Sequence, residues 1–124
     1  MSDVQRLTDY LEHILEAIDR IGGYTAGLSE AGFLSGTLVQ DAVIRNLEII
    51  GEASRNIEKR FPEFAAAHPE LPLASAYQMR NVVAHGYFEV DLEIVWKTVK
   101  RDLPALSRQV RAVLKDQSLG NLNR

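Results

Sequence analysis

Apolar side chains recur at steps of three and four along the start of the chain. Such steps place them on one face of a helix, because successive helical residues turn by about 100°. We expect an amphipathic helix that stops at Gly22-Gly23, then a glycine-rich connection from Tyr24 to Gly36 with one helical turn around Ser29 to Leu34. The apolar face of this first helix consists of Val4, Leu7, Leu11, Ile14, Ile18 and Ile21.

A second periodic stretch predicts a long helix from about Thr37 to Arg60, where no proline interrupts the pattern. Prolines punctuate the next segment, in which Phe61 to Ala67 predicts a short helix. We expect a third long helix to start near Pro72, since proline is favoured in a first helical turn, and to end near His85, where Gly86 can cap it. The apolar face of the second helix carries Val39, Val43, Leu47, Ile50 and Ile57.

Asp91 predicts the N-cap of a last helix, because its carboxylate can accept hydrogen bonds from the free amides of a first turn. Pro104 lies off the apolar face and is expected to kink this helix toward solvent or to divide it. That apolar face consists of Leu92, Trp96, Val99, Leu103, Leu106, Val110 and Val113. No stretch alternates with period two for long enough to indicate a strand. We therefore predict an all-α fold, an antiparallel bundle of four to five main helices, with one domain over residues 1–117 and a short C-terminal tail over residues 118–124.

Composition limits the classes of function. The 124 residues suffice for one domain, and a net charge of -3, from 14 basic and 17 acidic residues, argues against a protein that coats nucleic acid by bulk electrostatics. The absence of cysteine excludes disulfides, thiolate metal sites and cysteine nucleophiles. No apolar run approaches the length that spans a bilayer, so we expect a cytoplasmic protein without a membrane partner. The three histidines follow no metal-ligand spacing and no phosphate loop occurs, so we expect no metal and no cofactor.

The clearest candidate chemistry lies in Arg80-Asn81-Val82-Val83-Ala84-His85-Gly86-Tyr87, called the motif below. Asn81 and His85 are four residues apart and share a helical face, so the amide can orient the imidazole. Arg80 lies about 140° from His85 on an ideal helix, so its long side chain or a distortion at Gly86 must bring both to one ligand. Histidine can move a proton near neutral pH and arginine matches phosphate oxygens, which suits metal-free RNA cleavage by the neighbouring 2′-hydroxyl. The same residues can instead satisfy carbonyls and complement the dipole at a helix end.

The motif resembles the Arg-x4-His-x-Tyr signature of the HepT-like ribonuclease toxins and the wider Arg-Asn-x3-His signature of the HEPN superfamily. Residues 40–53 resemble the family's long second helix, Tyr77-Gln78-Met79 precedes the Arg-Asn pair as in relatives, and Val95-Trp96 with Leu103-Pro104 resembles the last helix. The similarity covers nearly the whole chain. Leu71-Pro72-Leu73 departs from the many relatives that carry tryptophan after the proline, which affects packing and leaves the motif intact.

This resemblance implies a homodimer whose two motif copies face a shared cleft, with Arg80 and His85 as the catalytic pair and Asn81 supporting them. It implies RNA as the substrate and a minimal nucleotidyltransferase antitoxin as the cognate partner, as in a type VII-like toxin-antitoxin module. The partner would silence the toxin by transferring AMP to Tyr87, because a bulky anion there would compete with RNA phosphate for Arg80. The other role open to Tyr87 is that of an ordinary aromatic residue at a helix end.

Two polar stripes add secondary candidates. The first lies within about 60° on the second helix and either lines the cleft, where it could position Arg80 or His85, or forms a solvated face with ion pairs. Its members are Asp41, Arg45, Glu48 and Glu52. The second lies on the last helix and either guides an RNA backbone or faces solvent. Its members are Lys97, Arg101, Arg108 and Lys115.

The leading hypothesis is a metal-independent endoribonuclease. The alternative is a non-catalytic helical module that binds a nucleotidyltransferase partner, and the two differ in whether His85 is needed for RNA cleavage. A third possibility is nucleotide binding without turnover, which tight ATP binding by the isolated protein would indicate.

Overall fold

The computed structural model describes residues 3–78 and 91–122, with side chains as far as residue 116. In its first part, α1 spans Asp3–Thr25, α2 Glu30–Ser35, α3 Thr37–Arg60 and α4 Pro62–Ala67. Residues 73–78 are helical up to the last position described there and are called α5. The second part contains α6 (Leu92–Lys97), a π turn (Thr98–Asp102) and α7 (Leu103–Leu122). These described residues contain no strand, which confirms the all-α helical prediction.

The core lies where α1 packs against α3 and α7. Leu11 and Ile14 of α1 are fully buried, as are Val43 and Ile57 of α3 and Val110 of α7. Removal of such apolar side chains from water is the main favourable term in folding, at about 25 cal/mol per Å². The bundle thus buries the predicted apolar faces of α1 and α3, except at Val4 near the start of α1, which is 47% exposed.

The prediction that α1 stops at Gly22-Gly23 is wrong, because the helix continues to Thr25. Each glycine costs about 1 kcal/mol relative to alanine within a helix. Beyond the glycines, however, Thr25 is buried and its hydroxyl donates a hydrogen bond to the Ile21 carbonyl at 2.8 Å. Tertiary packing therefore extends the helix by a turn. The chain turns away at Gly27, whose φ of 76° lies in the left-handed region that glycine adopts without strain.

The short helix α2 and the limits of α3 agree with the prediction. The Ser29 hydroxyl accepts a hydrogen bond from the Gly32 amide at 3.1 Å and so caps α2. At the other end of α2, the buried Gln40 side chain donates to the carbonyls of Phe33 (2.8 Å) and Leu34 (3.0 Å). A residue of α3 therefore satisfies the open end of α2 and holds the two helices together.

Asp91 caps the last helical segment as predicted, since its carboxylate accepts hydrogen bonds from the amides of Glu93 and Ile94 at 3.0 and 3.2 Å. The helix is divided just before Pro104, where the Leu103 amide donates to the carbonyl of Thr98, five residues back. A proline ring clashes with the carbonyl four residues before it in a regular α-helix and offers no N–H. A wider π turn at this point relieves that conflict.

This π turn changes the faces of the last helix. One extra residue in a turn rotates the following segment by about 100° relative to the preceding one. Before the π turn, Val95, which was not predicted to face the core, is only 1% exposed, whereas Trp96 is partly buried. Val95 precedes Val99 by four residues and so lies on the same helical face. Lys97 and Arg108 lie on opposite sides of the π turn, so the four predicted cations do not form one row. All four of these side chains are exposed.

Helix α7 runs through residue 117, and the division of the chain into a domain (1–117) and a tail (118–124) stays a prediction. Among the helices in the described parts of the chain, none is long and apolar enough to cross a bilayer.

Candidate functional site

The motif lies outside the described residues. Arg80, Asn81, His85 and Tyr87 all fall within residues 79–90, so their roles stay predictions from the sequence. The structure does describe the secondary candidates on α3 and the residues that lead into the motif.

A groove of about 310 Å³ runs between α1 and α3, and we call it the polar groove. Three of the four secondary candidates, Arg45, Glu48 and Glu52, line it. Asp41 is exposed and is not among the lining residues. The remaining lining residues are Tyr10 and His13 from α1, with Ile49, Ala53 and Asn56 from α3. Three of the four side chains therefore share one groove, whose opposite wall is α1, and their functional role stays a prediction.

The charges of the polar groove do not favour an anion by themselves. Among the described lining residues, one arginine against two glutamates leaves a net charge of -1 when His13 is neutral. The guanidinium of Arg45 lies 3.7 Å from the Glu48 carboxylate, and the two side chains are 71% and 34% exposed. Exposed pairs of this kind contribute about 0–1 kcal/mol. An RNA phosphate at this groove would need a further cation.

His13 is the groove residue that sequence reasoning missed. It was given no functional role, because a single exposed histidine on α1 carries no pattern. Only the packing of α1 on α3 brings its side chain to the same groove as Glu48 and Glu52. Residues 3–78 and 91–122 contain no group of three His, Asp or Glu side chains able to hold a metal ion.

A second residue that the sequence analysis missed is Arg55, one turn beyond Glu52 on α3. Its guanidinium carbon lies 4.8 Å from the centre of the Tyr77 ring. Its Nη1 also donates a hydrogen bond to the Tyr77 hydroxyl. Tyr77 belongs to α5 and precedes the motif by three residues. Arg55 lies on the same face of α3 as Glu48 and Glu52, so helical spacing could have added it to the stripe. Its partner Tyr77 is 22 residues away in the sequence, so helical spacing could not have predicted this contact.

A larger cavity of about 420 Å³ lies between α3, α5, the π turn and α7. Its described lining is mostly apolar, with Leu47, Ile50 and Leu106 among the side chains. Glu70 lies at this cavity, and a hydrogen bond with His68 at 3.0 Å lowers the pKa of the Glu70 carboxyl below its ordinary value. None of the four site candidates that the structure describes, Asp41, Arg45, Glu48 and Glu52, lines it.

The sequence matches the family described as Ribonuclease HepT-like over residues 14–113. It is 45% identical to a protein named "Probable ribonuclease HepT" from Thermococcus cleftensis, over 86% of this chain and 94% of that protein. It is 35% identical to a protein named "Putative RNase" from Caldanaerobacter subterraneus subsp. tengcongensis, over 87% of this chain and 94% of that protein. A protein of the same description from Methanocaldococcus jannaschii is 36% identical over 84% of this chain and 93% of its own length. No solved structure gives a significant match.

Proposed function

We propose, from the premise that the chain belongs to the HepT-like ribonuclease family, that it is a metal-independent endoribonuclease whose catalytic pair is Arg80 and His85. The observation that carries the proposal is the family match over residues 14–113, which spans the motif with every signature residue in place. The names of the relatives point to RNA as the substrate.

The proposed reaction is an attack by a ribose 2′-hydroxyl on the adjacent phosphorus. The new bond from the 2′-oxygen forms as the bond to the 5′-oxygen of the next nucleotide breaks, which gives a 2′,3′-cyclic phosphate and a free 5′-hydroxyl. One proton leaves the 2′-oxygen and one is delivered to the 5′-oxygen, and His85 performs one of these transfers because imidazole exchanges a proton near neutral pH. Arg80 balances the charge that develops on the phosphoryl oxygens, and Asn81 supports the pair.

The residues of the polar groove have a positioning role in this proposal. Glu52 lies one helical turn from Arg55, and Arg55 contacts Tyr77, the third residue before Arg80. In this proposal a carboxylate in this part of α3 orients Arg80. Asp41, Arg45 and Glu48 extend the same stripe toward the start of α3 and would line the cleft of the proposed homodimer.

Regulation by a partner completes the proposal. A minimal nucleotidyltransferase antitoxin would transfer AMP from ATP to the hydroxyl oxygen of Tyr87, with release of pyrophosphate. The adduct places a phosphodiester anion two residues from His85, where it would compete with RNA phosphate for Arg80. This makes the chain the toxin of a type VII-like toxin-antitoxin module, and the support for it is the sequence resemblance.

The mechanism is tested with two RNA oligonucleotides of one sequence, one of them 2′-O-methylated throughout. We expect the native chain in excess EDTA to cleave the unmodified RNA and leave 2′,3′-cyclic phosphate ends, since the nucleophile is the 2′-hydroxyl and no metal takes part. The methylated RNA should stay whole. Cleavage of the methylated RNA, or cleavage that appears only when Mg²⁺ is restored, would contradict this mechanism.

A further inference from the structure

A contact between α3 and α5 lies directly upstream of the motif. The guanidinium of Arg55 lies over the ring of Tyr77, 4.8 Å from its centre, and also donates to the Tyr77 hydroxyl. These two interactions restrain different motions, because the first fixes the distance of the cation from the ring face and the second fixes its place along the ring. Together they hold α5 at Tyr77 against α3.

Chain length sets how far this restraint can reach. Arg80 follows Tyr77 by three residues, and three residues span at most about 11 Å whatever their conformation. On the other side of the contact, Glu52 lies one helical turn before Arg55 on the same face of α3. The contact and the short connection therefore limit how far the start of the motif can lie from the segment of α3 that carries Glu52 and Glu48.

We infer that Arg55 and Tyr77 form a positioning pair that sets the place of the motif relative to α3, and this inference rests on the proposed ribonuclease function. Arg55 acts through Tyr77 and is not assigned a contact with RNA. Displacement of a reacting group by about 1 Å can lower a rate by as much as 100-fold. Loss of the contact between Arg55 and Tyr77 should therefore lower kcat for RNA cleavage and leave RNA binding unchanged.

Arg111 offers a matched control for Arg55. It is also an exposed arginine that joins two helices, since its guanidinium lies 3.3 Å from the Asp19 carboxylate and links α7 to α1. It is far from Tyr77 in sequence and contacts neither α3 nor α5 through the bonds described. Removal of Arg111 therefore reproduces the loss of a positive charge and of a cross-helix bond without the loss of the Tyr77 contact.

The test compares Arg55→Ala, Tyr77→Phe, their combination and Arg111→Ala in steady-state RNA cleavage, with His85→Ala as the inactive reference. We expect Arg55→Ala to lower kcat about 10-fold with KM within twofold of native, because positioning and not binding is lost. Arg111→Ala should cleave like the native chain. Tyr77→Phe should lower kcat less than Arg55→Ala, and it should have no further effect once Arg55 is removed, since the two residues act as one unit.

Two kinetic results would overturn the inference. One is an additive double variant, because it would show that the residues act separately. The other is a rise in KM for Arg55→Ala, with a shallower salt dependence of RNA binding and unchanged kcat, because Arg55 would then contact the RNA backbone itself.

Amide hydrogen exchange separates this inference from the proposed function. We expect Arg55→Ala to speed exchange of peptides that contain residues 73–78, whereas Arg111→Ala leaves them unchanged. If the native chain fails to cleave RNA, the proposed function fails while exchange still reports whether the pair holds α5. Unchanged exchange in Arg55→Ala would overturn the pair whether or not the chain is active.

Discussion

His68 and Glu70 show how a hydrogen bond changes the titration of an exposed carboxyl. The Nδ1 atom of His68 lies 3.0 Å from the Glu70 carboxylate, in the turn between α4 and α5. This hydrogen bond is the largest cause of the lowered pKa of Glu70, whose ordinary value is 4.5. A lowered folded-state pKa stabilises the protein above the ordinary pKa, and that contribution disappears as the pH falls through the lower value.

We predict that His68→Ala raises the pKa of Glu70 toward 4.5, because its main hydrogen bond partner is lost. The carboxyl carbon of Glu70 can be followed by NMR during a titration from pH 7 to pH 2. His13→Ala, which removes a histidine from the polar groove instead, is the control and should leave the titration of Glu70 unchanged. An identical midpoint for Glu70 in the native chain and in His68→Ala would contradict the prediction.

At the scale of elements, α1 and α3 make the most extensive contact between two helices in the described part of the chain. Leu11 of α1 is fully buried there, whereas Leu38, also a leucine on a helix, is 85% exposed near the start of α3. The two residues therefore test whether burial in this interface, and not residue type, determines stability.

We predict that Leu11→Ala lowers the free energy of unfolding by about 2–5 kcal/mol, since it removes buried methyl groups and leaves a cavity. Leu38→Ala should change it by no more than about 0.5 kcal/mol, because its side chain already contacts water. Urea unfolding at one fixed protein concentration measures both. Equal effects of the two substitutions would show that α1 does not pack on α3 as described.

The elements that the sequence predicted well are those whose limits are set by local chemistry. Helix α3 begins and ends at Thr37 and Arg60 as predicted, and Asp91 caps the last helical segment. Two predictions missed contributions from tertiary structure. Burial of Thr25 carries α1 past two glycines, and a π turn before Pro104 interrupts the regular spacing of the last helix. Helical spacing assumes a constant 100° per residue, so it cannot anticipate such a turn.

At the scale of the whole molecule, the net charge is negative, so RNA binding must depend on a few local cations. The net charge is -3, and the described lining of the polar groove carries two glutamates against one arginine. The cation that the motif supplies is Arg80. A family resemblance could identify the motif from the sequence alone. The place of His13 in the groove and the contact of Arg55 with Tyr77 each depend on how two helices pack, so they required the fold.

The central claim is that the chain cleaves RNA through His85 without a metal ion. It is tested most directly by RNA cleavage in excess EDTA with the unmodified native chain, His85→Ala and His68→Ala at equal concentration. His68→Ala is the control because it also removes one imidazole, from a turn outside the motif and the polar groove. We predict that the native chain and His68→Ala cleave the RNA and that His85→Ala is at least about 100-fold slower, the size of effect expected for loss of a general acid or base. Cleavage by His85→Ala at the native rate, or no cleavage by a native chain whose intact mass shows Tyr87 unmodified, would contradict the claim and favour a module that only binds its partner.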